Sequence, residues 1–437
     1  MRELKAERAG RLRLPNQREL SVVILGAGPA GLIRAIESVM DKHRTVVLEK
    51  RSVGEGRENT IALKRPIIDR LKKYGIYQWL IENQLIYDFE GRGFVSVRLK
   101  DVEKAMKAVL QELAPDEAII RYETTVDEID PTQPKVGVKL QTGEWLRDID
   151  LLSNAEGSSG STNQKLGIGR DPVLVKLPVI AAIFQDTRPK ITNVKTFFVY
   201  VEKTISQCAV SVYYYAIFFF KFIFQRERFW RQDSSIAGAL ILKTPGQNYL
   251  GVGFKKGRME ELVALQSKVK EMQAEVERED SPDTRAKLAA AEKSLNSFVR
   301  YWTNISFCHA NILALLAKCF GINSSWEVAG RLPLHECRIV EIGADRAITY
   351  QRQMQKSAYL VCGDALATVD PATGLGANTA IETVDHFKSV MQAMTDDRPL
   401  APVLEEYEGN CAQKIKEIHD ASIKNRAMYR PDKAVAF

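Results

Sequence analysis

Cysteine is scarce in this chain and unpaired: six residues lie far apart across 437 positions, with no repeated spacing. A disulfide framework is thereby excluded, and reduced thiols in a cytoplasmic compartment are expected, with Cys208 and Cys362 as core residues. Histidine is scarcer still, at five. Cys308-His309 is the one adjacent soft pair, and without further clustered ligands no metal site is expected. The basic start Met1-Arg-Glu-Leu-Lys-Ala-Glu-Arg8 is followed by no apolar stretch, so no secretory signal is expected. The apolar run Ala209–Phe220 ends at Lys221. That falls short of the roughly 18 to 20 apolar residues a spanning helix needs, so no transmembrane segment is expected. A strand buried on both faces, or one lining an apolar pocket, accounts for it better. The net charge of +7 is modest and its lysines and arginines are dispersed without an aromatic-interleaved stripe, which leaves no nucleic-acid footprint.

What is present begins with glycine. Gly26-Ala-Gly28-Pro29-Ala30-Gly31 follows the apolar run Ser21–Leu25 and opens a helix expected over Pro29–Met40, with Ile33, Ile36 and Met40 on one side. Gly26 suits a tight turn, Gly28 a close approach of backbone to phosphate, and Gly31 close helix–strand packing. The helix N-terminus then offers N–H groups to a pyrophosphate. A second strand, Thr45–Leu48, ends in Glu49, near the spacing of about 20 residues expected of an acid that takes ribose hydroxyls. An acid there favours an unphosphorylated adenosine ribose, as in FAD or NAD; Lys50 and Arg51 follow it directly.

A second glycine string separates those two cofactors. The strand Tyr359–Cys362 runs into Gly363-Asp364, and the loop Pro371-Ala-Thr-Gly374-Leu375-Gly376 precedes a helix expected over Leu375–Val390. A carboxylate at a strand end can accept hydrogen bonds from a ribityl hydroxyl. The backbone N–H groups of Gly374 and Leu375 would stabilise negative charge on a reduced ring, with Pro371 shaping its oxygen-facing side. NAD enzymes have no use for this element, so the pair of strings points to one FAD site built from both chain ends.

In these strings the chain resembles the class A flavoprotein monooxygenases, the FAD-dependent aromatic hydroxylase family with the para-hydroxybenzoate hydroxylase fold. It is similar in particular to the MICAL-type monooxygenase domain, through Glu49-Lys-Arg51 and the segment Arg57-Glu-Asn59-Thr-Ile-Ala-Leu-Lys64-Arg-Pro66. The likeness covers about 200 residues at the two ends. It implies that Arg98, at the start of a helix, holds FAD from its outer side, and that Val126 and Asn378 belong to the cofactor site. Asn59 and Lys64 become candidates for orienting ring or substrate. It also implies reduction by NADPH or NADH, bound transiently, and transfer of one oxygen atom from O₂ to an unidentified substrate through a flavin hydroperoxide.

The chain departs from the family pattern at four points. Ala155-Glu156-Gly157 replaces Ala-Asp-Gly, the basic residue expected after it is missing from Ser158–Gln164, and Leu366 stands where many aromatic hydroxylases carry histidine. Lys64 also falls close to an aromatic position of the MICAL segment. His335 is more readily structural than a substrate base.

The expected architecture is α/β. A Rossmann-like FAD-binding domain comes from residues 1–171 and 346–398, with an inserted β-sheet substrate domain over 172–345 and a C-terminal helical segment over 399–437. A further parallel strand is expected over Ala118–Tyr122, and an antiparallel meander over Val136–Leu151. Strands are expected at Lys195–Val201 and Ala209–Phe220. Within the insertion, Leu262, Leu265, Val269, Met272 and Val276, then Leu288, Ala291, Leu295 and Trp302, recur at spacings of three and four on either side of Asp280-Ser-Pro-Asp283. A helical hairpin over 258–302 follows, either a brace or a docking element for a protein partner or a second copy. Two other functions stay open: an FAD-dependent dehydrogenase or reductase, and a non-catalytic flavoprotein whose hairpin binds a partner.

Overall fold

The computed structural model describes residues 17–56, 59–88, 94–115, 119–158, 160–185, 236–244, 247–254, 256–299, 334–369 and 375–429. The chain divides into two units, Met1–Val175 with Gly343–Phe437, and Lys176–Ile342. The first begins with β1 (Ser21–Leu25), α1 (Pro29–Met40) and β2 (Arg44–Leu48). All four residues Val22–Leu25 are buried, as is every residue of α1 after Pro29, so this is a strand and helix covered on both sides. Then come β3 (Thr60–Lys64), α2 (Arg65–Lys73), α3 (Ile76–Glu82), β4 (Ile86–Asp88), β5 (Phe94–Arg98) and α4 (Leu99–Leu113). Strands β3, β5 and β4 form a small antiparallel sheet in that order.

After β6 (Ile120–Arg121) the chain forms a meander, β7 (Val126–Asp130), β8 (Val136–Leu140) and β9 (Trp145–Ile149), and rejoins the main sheet as β10 (Leu151–Asn154). β11 (Arg170–Gln185) leads into the second unit. There β13 (Gln247–Phe254) pairs antiparallel with both β11 and β12 (Ile236–Thr244). The strands expected at Lys195–Val201 and Ala209–Phe220 lie outside the described residues, as do Cys208, Cys308, His309 and Trp302.

The hairpin follows as α5 (Lys256–Arg278) and α6 (282–299). Leu262, Val269 and Ala291 are buried, and Leu265, Met272, Val276, Leu288 and Leu295 are half-buried, so the seam lies where the apolar period puts it. Thr284 closes the turn, its hydroxyl donating to Glu279 O at 2.8 Å. Lys287 reaches back to Glu275 at 3.7 Å. Such exposed pairs add little stability, and the apolar seam carries the association of the two helices.

The chain returns through β14 (Leu334–Ala347), β15 (Gln351–Met354), β16 (Ser357–Val361) and the short β17 (Ala367–Thr368). Helices α7 (Gly376–Glu382), α8 (Val384–Thr395) and α9 (Leu400–Tyr429) complete it. The main sheet has the order β15-β16-β10-β1-β2-β6, parallel throughout except for the β15 edge. It is a Rossmann-like layer, and β16 from the C-terminal part lies beside β10 from the N-terminal part.

The single helix expected over Leu375–Val390 is two helices, parted at Thr383. The physical reason is Arg34. This fully buried arginine of α1 donates to Ala30 O at 2.9 Å, Ala380 O at 3.3 Å and Thr383 Oγ1 at 3.0 Å, and lies over the Phe387 ring. The break turns the last carbonyls of α7 toward a cation that would otherwise be stranded in the core.

Candidate functional site

The site starts from the turn between β1 and α1. Gly26 has φ +98°, donates to Leu48 O at 2.7 Å, and would place a Cβ 2.5 Å from Ala155 O. A Cβ on Gly31 would fall 2.0 Å from Gly26 O. The chain itself therefore requires glycine at both positions. Gly28 is different. Its φ of −78° suits any residue, and a Cβ there would meet nothing nearer than Glu103 Oε1 at 3.9 Å. Neither backbone conformation nor packing within the chain requires glycine at this position. Pro29 occupies the first turn of α1, which holds no acidic residue, so the helix terminus suits an anion.

The second string meets the first at Ala30. Gly363 and Asp364 lie in a 3-10 turn, Gly363–Ala365, directly after β16. Gly363 has φ +59°, and a Cβ on it would come within 2.7 Å of Ala30 Cβ. Ala30, Cys362 and Ala380 form one small buried cluster, with Ala155 packed against it. Arg170 holds the turn from below, donating to Ala365 O at 2.7 Å and Asp364 O at 3.0 Å while Asp345 accepts from it at 2.5 Å. Asn163 donates to the same Ala365 carbonyl at 3.1 Å.

Beneath lies a buried triangle. Asn154 Nδ2 donates to Asn163 Oδ1 at 2.9 Å and to the Tyr359 hydroxyl at 2.8 Å, and that hydroxyl donates to Asn163 Oδ1 at 2.7 Å. Burial pushes the Tyr359 phenol far above its ordinary pKa, so it stays a neutral donor. Glu156 turns into its own loop: its N–H donates to Asn154 Oδ1 at 3.0 Å and its Oε2 accepts from Thr162 N at 3.1 Å.

Glu49 sits beside the first turn with both oxygens in use. Oε2 accepts from Ala27 N at 2.7 Å and Arg51 Nη2 at 3.0 Å; Oε1 accepts from Arg51 N at 2.9 Å and Arg51 Nε at 3.0 Å. Burial raises the pKa of this carboxyl, but the hydrogen bonds from Arg51 and Ala27 outweigh it and leave Glu49 below the usual glutamate range. The same pairing, against the opposing effect of burial, raises the pKa of Arg51 and keeps it charged. Four donors fill the acceptor capacity of a carboxylate. Ribose recognition by Glu49 thus requires Arg51 to give way. Because the folded pKa is depressed, Glu49 stabilises the protein above the unfolded value of about 4.3, and this is lost as pH falls through the folded pKa. Urea titrations should therefore show Glu49→Gln less stable than the wild type at pH 7, with the gap closing below about pH 4.

Asn59 and Arg98 are neighbours: Leu99 N donates to Asn59 O at 2.8 Å, and Thr60 pairs with Arg98 across β3 and β5. Arg98 caps the start of α4, with Nε 2.5 Å from Asp101. Lys64 ends β3, exposed. The Asn378 amide grips that strand, accepting from Lys64 N at 2.9 Å and donating to Ala62 O at 2.8 Å. Its main visible work is to hold β3 against α7. Val126 is buried at the start of β7, its side chain in the core and its carbonyl accepting from Lys165 Nζ at 2.6 Å. Lys50 is exposed. Leu375 and Gly376 begin α7, while Pro371 and Gly374 lie outside the described residues.

Sequence reasoning passed over Arg34, Asn154, Asn163, Arg170, Tyr359 and Glu103. A lone arginine amid Leu32-Ile33 and Ala35-Ile36, and an asparagine closing an apolar strand, were the available signals, since a polar group in a fully apolar stretch must be hydrogen-bonded. Among the described residues no group of three or more His, Cys, Asp or Glu could hold a metal, and no helix is long and apolar enough to cross a membrane.

No family model matches the chain, and no curated sequence does either. Solved structures share its fold. Aklavinone-11 hydroxylase, in a ternary complex with FAD and aklavinone, has TM-score 0.61 at 14% identity, over 95% of this chain and 70% of that one. The p-nitrophenol 4-monooxygenase PnpA from Pseudomonas putida DLL-E4 has TM-score 0.55 at 15% identity, over 92% and 87% of the two chains. The Diels-Alderase PyrE3 of pyrroindomycin biosynthesis has TM-score 0.57 at 16% identity, over 93% and 72%. The fold is thus that of the FAD-dependent monooxygenases and of proteins built on the same frame.

Proposed function

We propose that this chain is an FAD-dependent monooxygenase that takes electrons from NADPH or NADH and transfers one oxygen atom from O₂ to a substrate. The observation that carries the reading is Gly28, a glycine that nothing in the chain requires, at a turn against which the Gly363-Asp364 string is packed. A cofactor reaching along both strings is long enough to be FAD. The residues fit it: Gly28 and the start of α1 receive the pyrophosphate, Glu49 the adenosine ribose as Arg51 gives way, and Asp364 the ribityl chain. Arg98 closes the outer side. Leu375 and Gly376 at the start of α7 serve the ring, with Lys64 at the end of the strand that Asn378 clamps and Asn59 just before its start.

When bound, FAD supplies the redox and oxygen chemistry. The protein's part is to hold the dinucleotide extended, present the start of α7 to the ring and keep water from the reacting face. The buried Asn154-Asn163-Tyr359 triangle and Arg170 make the Asp364 turn rigid, which preserves the geometry through turnover. Within this reading, the MICAL-like Glu49-Lys-Arg51 and Asn59 segments give the finer assignment, and the hairpin α5–α6 serves as a brace or as a docking element for a protein partner.

The Diels-Alderase among the structural neighbours favours one alternative, a flavoprotein whose frame shapes a pocket without oxidising its substrate. Anaerobic stopped-flow reduction separates the two. With FAD bound, NADPH or NADH should bleach the flavin, slowly alone and faster with substrate, and admission of O₂ without substrate should yield hydrogen peroxide. If neither nicotinamide reduces the flavin under any condition, the monooxygenase reading is wrong.

A further inference from the structure

The C-terminal helix α9 has no part in the function above, yet it grips the second glycine string at both ends. At the entry, the Tyr407 hydroxyl donates to Val361 O at 2.7 Å, just before Gly363. At the exit, His419 Nε2 lies 3.0 Å from Thr368 O. A carbonyl only accepts, so Nε2 carries the proton and donates. His419 is 5% exposed, so little water is at hand to replace that donor, and burial holds its pKa below the ordinary histidine value. Thr368 is held from β14 as well: its hydroxyl accepts from Asp345 N at 3.0 Å and donates to Asp345 Oδ1 at 2.6 Å. Asp345 in turn accepts from Arg170, which donates to Asp364 O. One connected set of bonds therefore runs from α9 through Thr368 to the Asp364 turn.

The bond from His419 falls on the peptide that joins Thr368 to Val369. That peptide is planar, so fixing its oxygen fixes the plane that carries Val369 Cα. Val369 Cγ2 lies 3.4 Å from where a Cβ of Gly376 would sit, and Val369 thus packs against the first residue of α7. We propose that His419 is a positioning residue of the flavin site: from α9 it locks the Thr368–Val369 peptide, and through Val369 it sets where the start of α7 stands against the flavin ring. The inference rests on the reading of this site as an FAD site. On that reading, backbone N–H groups at the ring favour its reduced, more negative form, and displacing them lowers the midpoint potential of the bound flavin.

His419→Leu fills the space without a donor, and His419→Gln returns an N–H at the reach of Nε2. His419→Leu should lose about tenfold of the preference for reduced over oxidised flavin, a midpoint potential about 30 mV lower for a two-electron couple. His419→Gln should restore most of it. ADP, which reports only the half of the site at Gly28 and Glu49, should bind equally to the wild type and both variants. Potentiometric titration of the FAD-loaded full chain and calorimetry with ADP read this without any turnover, and thermal melts check each fold. Should His419→Leu not fold, His419→Met, flexible and also without a donor, takes its place with the same shift expected. An unchanged potential in a folded variant without the donor overturns the proposal. A shift that His419→Gln leaves uncorrected also overturns it, tracing the effect to shape. So does a matching loss of ADP affinity, which would make the damage general. Wild-type protein that does not bind FAD overturns the FAD reading and the proposal with it, a failure seen before any variant is made.

Discussion

Arg34→Met is expected to cost about 3 to 5 kcal/mol of folding stability, because it removes several hydrogen bonds from a buried charged donor, a class worth about 1.5 to 3 kcal/mol each. Against a total stability of about 5 to 15 kcal/mol, that separates a folded from a largely unfolded population at 37 °C. The acceptors are Ala30 O at the start of α1, Ala380 O near the end of α7, and Thr383 O and Oγ1 at the break before α8. Methionine replaces most of the apolar stem and the contact with Phe387, so the loss isolates the guanidinium. Urea denaturation followed by far-ultraviolet circular dichroism measures it. Arg34→Lys should recover only part, since one ammonium cannot reach both helices with the geometry of a planar fork. Since the same residue holds α7 on α1, FAD affinity should fall alongside stability. An Arg34→Met protein that melts like the wild type would show that α7 docks through packing alone.

Arg34 also marks where the sequence stops being legible. The glycine turn, α1, the strand ending at Leu48 and the hairpin seam are set by local rules: turn geometry, glycine spacing and a three-four apolar period, each complete within a few residues. The break at Thr383 is not local. It exists because an arginine about 350 positions earlier needs carbonyls, and no window of sequence contains both partners. The same holds for Asn378, whose amide bonds to β3 more than 300 positions away. The triangle of Asn154, Asn163 and Tyr359 is likewise assembled only when β16 pairs with β10. Glu49 was legible as an acid at the right spacing, but not its saturation by Arg51, because two residues of separation do not reveal how a side chain folds back. The C-terminal helix was visible only as a helical segment; Tyr407 on it donates to Val361 O at 2.7 Å and ties it to the strand that leads into the Gly363 turn.

Gly28→Ala and Gly31→Ala should behave in opposite ways, and the contrast tests the cofactor site with the largest expected effect. At Gly31 the added methyl would lie 2.0 Å from Gly26 O, a backbone atom that cannot step aside without moving the whole turn. That variant is expected to lose several kcal/mol of stability, of the order seen for overpacked cores or more, whatever ligand is present. At Gly28 the methyl has room, with its nearest neighbour 3.9 Å away and φ at −78°. The ligand-free variant should melt with the wild type or slightly above it, because alanine lowers the entropy of the unfolded chain by about 0.4 to 1 kcal/mol in free-energy terms. Its FAD affinity, however, should drop by about a hundredfold or more, the methyl occupying the place where backbone and pyrophosphate must touch. Gly28→Val should abolish binding. Flavin content after purification, fluorescence titration and thermal melts with and without FAD read all of this in one series: FAD should raise the melting temperature of the wild type and leave that of Gly28→Ala almost unchanged. A Gly28→Ala protein that binds FAD as tightly as the wild type would place the dinucleotide away from this turn and leave Gly28 without an explanation.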